Sequence, residues 1–354
     1  MKRSSKYVFL DVHQATTVGA VREESGRVIL QPILPTEAGA LTEFFRGIRG
    51  TVHVALEEGT QAQWLSELLR PLVHRVVVCD RRGENQKGNK NDKLDALKGS
   101  ELLRRGALRT VYHGSAERVT LKELARNYQD VIDRGTGVKQ QLKALFRGRG
   151  IRTVGKAVYT VGERSEWVAK LPNRGLQVRA ETLYAQLELL NRLRVPAKAE
   201  LVKEAQRDPA WSCLRSIPFL GPVRVALLFA VMQTPWRFPT KRNLWSYAGL
   251  AVVTRSTGDY EFVNGQPVWR RRAAMTRGLN RNHNRMIKNV FRSAANAATG
   301  RGGPLQDFYQ AMIDRGMRPE RARVTLVRKL AALTLRVWKK GERFDPTKLT
   351  LQAH

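Results

Sequence analysis

Four acidic side chains carry the chemistry this sequence offers. Asp11 ends the apolar run Tyr7-Val8-Phe9-Leu10, and Glu57 follows a second alternating run with Val52, Val54 and Leu56. Asp92 and Asp95 stand three apart where a helical pattern begins, so they share one helix face. Carboxylates gathered at strand ends and on a neighbouring helix repel one another unless cations sit between them. Mg²⁺, a hard ion that takes oxygen ligands, suits such a site, with Mn²⁺ as a substitute. Two such ions about 3.5–4 Å apart clamp the attacking and leaving oxygens of a phosphoryl transfer. Any one of these acids alone reads as a solvated residue, or at Asp92 as a helix cap; the pattern of four points to metal. Glu58 competes with Glu57, and because strand alternation turns the two opposite ways, only one of them faces the ions.

The elements that must position these acids follow from periodicity. Strands are expected at 6–12, 16–22 and 27–33, a helix at 36–48, a strand at 51–56, a helix at 60–71, a strand at 74–80, a helix at about 91–105 and a short strand at 108–112. That order predicts a mixed α/β sheet with helices packed on it, and it is also the order of the RNase H-like fold. The expected domains are 1–113, carrying the acids; 114–210, an arm of two long helices and a candidate coiled coil; and 211–345, a helical domain. In the last, 216–232 reads as a turn feeding a helix. Its Ile217-Pro218…Gly221-Pro222 turn suits either a helix-hairpin-helix element facing a phosphate or an ordinary buried helix. Further helices are expected at 240–248, about 271–299 and about 318–340.

The partner is written in the charge. Among 354 residues, 63 Lys+Arg stand against 31 Asp+Glu, a formal net charge of +32. Such an excess repels itself in the folded state and points to nucleic acid. Residues 269–292 hold eight Lys/Arg and no acid. Read as a helix, they place Arg277, Arg281, Arg285, Lys288 and Arg292 within an arc of about 80° as a phosphate-binding row. No apolar run reaches the length of a membrane span or a signal peptide. Two distant cysteines, Cys79 and Cys213, give neither a disulfide framework nor a zinc pattern, which suits a reducing, cytoplasmic setting.

The segments YVFLDVH, VALEEGT and KNDKLDAL, followed by SIPFLGPVRVALLFA, RNLWSYAGLAVVTRSTGDY and RKLAALTLRVWKKGERFDP, resemble the DEDD transposases of the IS-one-ten family of prokaryotic insertion sequences. The resemblance runs in the same order along nearly the whole chain. It implies a RuvC-like N-terminal domain whose metal-site acids carry over to Asp11, Glu57, Asp92 and Asp95. It also implies a serine nucleophile shortly after Ala248-Gly249-Leu250, which falls on Ser256, with Thr257 as its rival. It further implies an element-encoded non-coding guide RNA pairing with donor and target DNA, a homo-oligomer (dimer or tetramer), and a nucleoid-associated location. Where the family has Glu-Ala-Thr-Gly, this chain has Glu57-Glu58-Gly59-Thr60, which keeps Glu57 and Glu58 both open.

The expected function is therefore a transposase that cleaves and rejoins DNA by transesterification. Two alternatives stand beside it: a RuvC-like metal-dependent nuclease that uses water, and a non-catalytic nucleic-acid-binding protein. Trp245, Tyr247 and Trp269 read as core before base-stacking residues. His13 and His283 read as surface or hydrogen-bonded histidines.

Overall fold

The N-terminal strands form where β-branched and aromatic residues alternate between two burial environments. The structure, a computed structural model, describes residues 4–80, 91–114, 118–255, 259–270 and 275–349. These fall into two compact units, Met1–Ala116 and Glu117–His354.

In the first unit, β1 (Ser5–Val12) pairs antiparallel with β2 (Thr16–Glu23). The expected third strand is split into β3 (Val28–Leu30) and β4 (Ile33–Pro35), interrupted near Pro32, and both pieces pair with β2. After α1 (Ala38–Gly47) comes β5 (Thr51–Glu57), which pairs parallel with β1; after α2 (Ala62–Leu69) comes β6 (Arg75–Cys79), parallel to β5. The sheet order is β3-β2-β1-β5-β6, with β4 also on β2. A mixed sheet in this order, with helices on both faces, is the RNase H-like fold.

Strand parity divides the core of this unit. Val8, Leu10, Val52, Val54 and Leu56 are buried with α1 and α2 on one face. Phe9, Val18, Ala55, Val77 and Cys79 are buried on the other, against Ala96 of α3 (Asp92–Arg104). The buried side of α3 is built from Ala96, Gly99 and Ser100 besides Asp95. A Cβ on Gly99 would overlap the Phe9 ring. These small residues let α3 lie close on β1.

In the second unit, α4 (Val119–Arg147) and α6 (Arg174–Ala205) run antiparallel, with α5 (Arg164–Ala169) in the connection. Phe146, Trp167, Leu183 and Leu187 fill a core at one end of this pair. At the other end, Leu121, Ala125, Leu201 and Ala205 join the large C-terminal core. That core takes in α7 (Trp211–Arg215), α8 (Pro222–Met232), α9 (Lys241–Tyr247), α10 (Arg285–Ala298), α11 (Pro304–Asp314) and α12 (Pro319–Lys340). The side chains of α8 are buried at Val225–Ala230 and Met232, as in an ordinary core helix.

The helix expected over 271–299 is corrected by the structure. β7 (Val252–Arg255) pairs with β10 (Met275–Leu279), β8 (Asp259–Val263) pairs with β9 (Gln266–Arg270), and α10 starts only at Arg285. The sequence between strand and helix explains why. Gly278 has φ +82°, Asn280 donates its side-chain amide to the carbonyls of Ser246 and Asn282, and Asn284 caps α10 by accepting from Ile287 N at 3.0 Å. The single row of five cations therefore breaks up: Arg277 stands on β10, Arg281 in the loop, and Arg285, Lys288 and Arg292 on α10. Neither Cys79 nor Cys213 is in a disulfide. Among the described residues no helix is long and apolar enough to cross a membrane.

Candidate active site

Register brings the first two acids together. The last paired residues of β1 and β5 are Leu10 and Leu56, so Asp11 and Glu57 are the next residues on two adjoining parallel strands. Asp11 has the parity of Phe9, and Glu57 that of Ala55; Phe9 and Ala55 both lie on the α3 face. Glu58 has the opposite parity, and its N–H donates to the Cys79 carbonyl at 2.9 Å. The Asp11 side chain is 16% exposed, whereas Glu57 lies at an open strand end.

Helix α3 brings the second pair. Its cap is Asn91, whose side chain accepts from Lys93 N at 3.0 Å, so Asp92 is not needed as the cap. Asp92 and Asp95 occupy the first helical turn, where the dipole favours negative charge. Asp95 is buried and Asp92 half-exposed.

His13 completes the cluster. Its Nε2 lies 3.2 Å from an Asp92 carboxylate oxygen and 3.8 Å from one of Asp11. Asp11, His13 and Asp92 each offer a ligand atom within 4.8 Å of the others. The backbone of His13 is held on both sides: its N–H donates to the Thr16 carbonyl at 2.9 Å, and its carbonyl accepts from Thr36 Oγ1 at 2.9 Å. Two carboxylates and an imidazole at this spacing make a donor set that fits a divalent cation. Sequence reasoning set His13 aside. The signal was there in Asp-x-His at a strand end, since residues two apart share a face.

In the second unit, α9 ends at a turn formed by Ala248-Gly249-Leu250. Gly249 takes φ +65°, and a Cβ there would overlap the His283 ring. Leu250 N donates to the Trp245 carbonyl at 2.7 Å, and Arg328 Nε donates to the Leu250 carbonyl at 2.6 Å. The chain then enters β7, whose last residue, Arg255, directly precedes Ser256. Ser256 and Thr257 lie outside the described residues.

Comparison with known proteins now gives this geometry a context. Residues 8–149 match the family model for the DEDD transposases of IS110 elements, described as a transposase. Residues 212–310 match the model described as the transposase IS116/IS110/IS902 family. The chain belongs to the IS110-family transposases. No curated protein matches it.

As an IS110-family DNA transposase, the enzyme acts on phosphodiesters, and the clustered acids lie within the N-terminal match. Of the four predicted acids, Asp11 and Asp92 meet at His13. Glu57 ends the strand beside Asp11, and Asp95 lies one turn along α3 from Asp92. Of the predicted cations, Arg285 and Arg292 are exposed and Lys288 is half-buried on α10. Arg281 is exposed ahead of that helix, and the Arg277 side chain lies outside the described residues.

Proposed function

We propose that this transposase cuts and rejoins DNA through a phosphoserine link, with Asp11, Glu57, Asp92 and Asp95 holding Mg²⁺ and Ser256 as the nucleophile. The observation that supports it best is shared parity. Asp11 and Glu57 end adjoining parallel strands on the face that α3 covers, and α3 carries both remaining acids in its first turn. Among the two adjacent glutamates, the parity favours Glu57 over Glu58.

A divalent ion bound by these acids supplies Lewis-acid stabilisation of charge on the phosphate oxygens. Ser256 Oγ attacks phosphorus. The Oγ–P bond forms as the bond from phosphorus to one deoxyribose oxygen breaks; the serine proton is given up, and the departing oxygen takes a proton to become a free hydroxyl. One phosphoester replaces another, so the reverse attack by a strand hydroxyl reseals DNA without ATP. We assign target choice to base pairing with an element-encoded RNA, the protein contributing backbone and shape contacts through its cationic residues. A homo-oligomer, dimer or tetramer, suits the paired donor and target.

The test is covalent trapping on denaturing gels, with protein, co-purified RNA, Mg²⁺ and DNA spanning the element junction. A protein–DNA adduct is expected from the wild type and from Thr257→Ala, and none from Ser256→Ala or Asp11→Ala. Loss in Thr257→Ala alone would move the nucleophile by one residue. Mg²⁺-dependent nicks without adduct would replace the serine by water and leave a resolvase-like hydrolase.

A further inference from the structure

A cavity of about 340 Å³ opens on the second unit where α10, α12 and the β7–β10 pair meet. Its size lies within the ordinary range of small-molecule pockets. The floor is aliphatic: Leu250 from the turn after α9, Leu279 from β10, and Val324 and Val327 from α12. Lys288 and Arg292 of α10 and Arg323 of α12 add three cations to the lining. Asn296 and Glu320 add one amide and one carboxylate.

The floor is preformed. Arg328 Nε holds the Leu250 carbonyl, and the Trp245 indole N–H in turn donates to the Arg328 carbonyl at 3.0 Å. Leu279 pairs with Val252 beyond a register shift in the β7–β10 ladder, and Asn280 N donates to the Ala251 carbonyl at 2.9 Å. None of these groups is used by the phosphoserine chemistry proposed above.

The mixture of linings narrows the occupant. A bare phosphate needs the cations but gains nothing from four aliphatic side chains. An apolar peptide or acyl chain needs the floor but leaves the cations unmatched. A nucleotide uses both, with an apolar face on its base and a charge on each side. Asn296 and Glu320 supply the donor and acceptor that a base edge requires.

We propose that this cavity takes one unstacked nucleotide of a DNA or RNA strand, its base on the Leu250–Leu279–Val324–Val327 floor and its flanking phosphates on Lys288, Arg292 and Arg323. This rests on the transposase assignment and not on the metal or the serine. An enzyme that must present a strand for exchange gains from drawing a base out of the stack, because the phosphodiester beside it is then held in one conformation.

The full-length protein is titrated, in chelator and without metal, into short single-stranded oligonucleotides carrying one 2-aminopurine between adenines, one set of DNA and one of RNA. Stacking quenches the probe, and an aliphatic pocket does not. Binding is expected to raise its emission at least about threefold. Val324→Trp fills the cavity and should abolish the rise while oligonucleotide affinity, read by anisotropy, changes less than about threefold. Arg323→Glu, at an exposed position, should also weaken the rise, and it decides the question if circular dichroism shows Val324→Trp to be unfolded. A rise with one set only names the strand. No rise with either, or a rise unchanged in both variants, overturns the proposal. Because no cleavage is needed, these outcomes are separate from those of the trapping assay.

Discussion

His13 changes what the acid cluster can hold. Carboxylates alone suit Mg²⁺, whereas an imidazole within 3.2 Å of Asp92 adds a nitrogen donor, which a transition-metal ion such as Mn²⁺ accepts more readily than Mg²⁺ does. His13→Ala is expected to weaken Mn²⁺ binding about tenfold, read by titration calorimetry of the metal alone, and to weaken Mg²⁺ binding less. Equal losses for both ions would mean that His13 only orients Asp92. Asp95→Asn keeps the size of a buried side chain and removes its charge. It should leave the melting temperature within a few degrees while metal affinity drops. The two acids at strand ends were legible in the sequence because each closes an apolar run, and the choice between Glu57 and Glu58 was not. The parity that favours Glu57 comes from Ala55, whose burial against α3 only the packing reveals. His13 was overlooked for a related reason: taken singly a histidine is ordinary, and its weight comes from standing two residues beyond Asp11 on the same face.

At the level of elements, the site depends on how closely α3 approaches the sheet. Gly99 lies under Phe9, so Gly99→Ala forces the two apart or strains them. The expected cost is about 1–3 kcal/mol of stability, read by chemical denaturation, with weakened metal binding because Asp92 and Asp95 ride on the same helix. The other half of α3 is clipped to β2. Arg22 donates to Ser100 Oγ and the Leu97 carbonyl, each at 3.3 Å, and Glu101 lies 3.4 Å from Arg22. Hydrogen bonds first from Arg104 and then from Arg105 hold the Glu101 carboxyl at about 2, below its ordinary 4.5. A depressed carboxylate stabilises the fold above the unfolded value and loses that contribution as pH falls. The stability advantage of wild type over Glu101→Gln should therefore be full above pH 4.5 and fade towards pH 2, as acid-unfolding curves would show. The N-terminal elements could be read in advance because their apolar residues alternate. The β7–β10 region could not be read from cation spacing, since arginines three and four apart also fit strands and loops. The usable signal there was Asn264-Gly265, both with positive φ at the tip of the β8–β9 hairpin.

For the molecule as a whole, charge outweighs any single contact. A net +32 opposes its own compaction until a polyanion neutralises it. Nucleic-acid affinity should fall steeply with salt, by roughly 10³–10⁵ between about 50 and 200 mM if about 6–10 phosphates are engaged. Arg292→Ala, on an exposed turn of α10, should lower the slope of log affinity against log salt by about one; filter binding across a salt series measures both. The in-register pairing of β1 with β5 sets a different kind of limit, on how the gene can change in length. Codons can be gained or lost in the turn at 24–27, outside the β1–β5 pairing. One codon added between Ser5 and Asp11, or between Thr51 and Glu57, would swing the acid to the α1–α2 side of the sheet. Such a copy would carry its acids on opposite faces, so lineages of this enzyme should exchange one apolar residue for another along these two strands and hardly change their length.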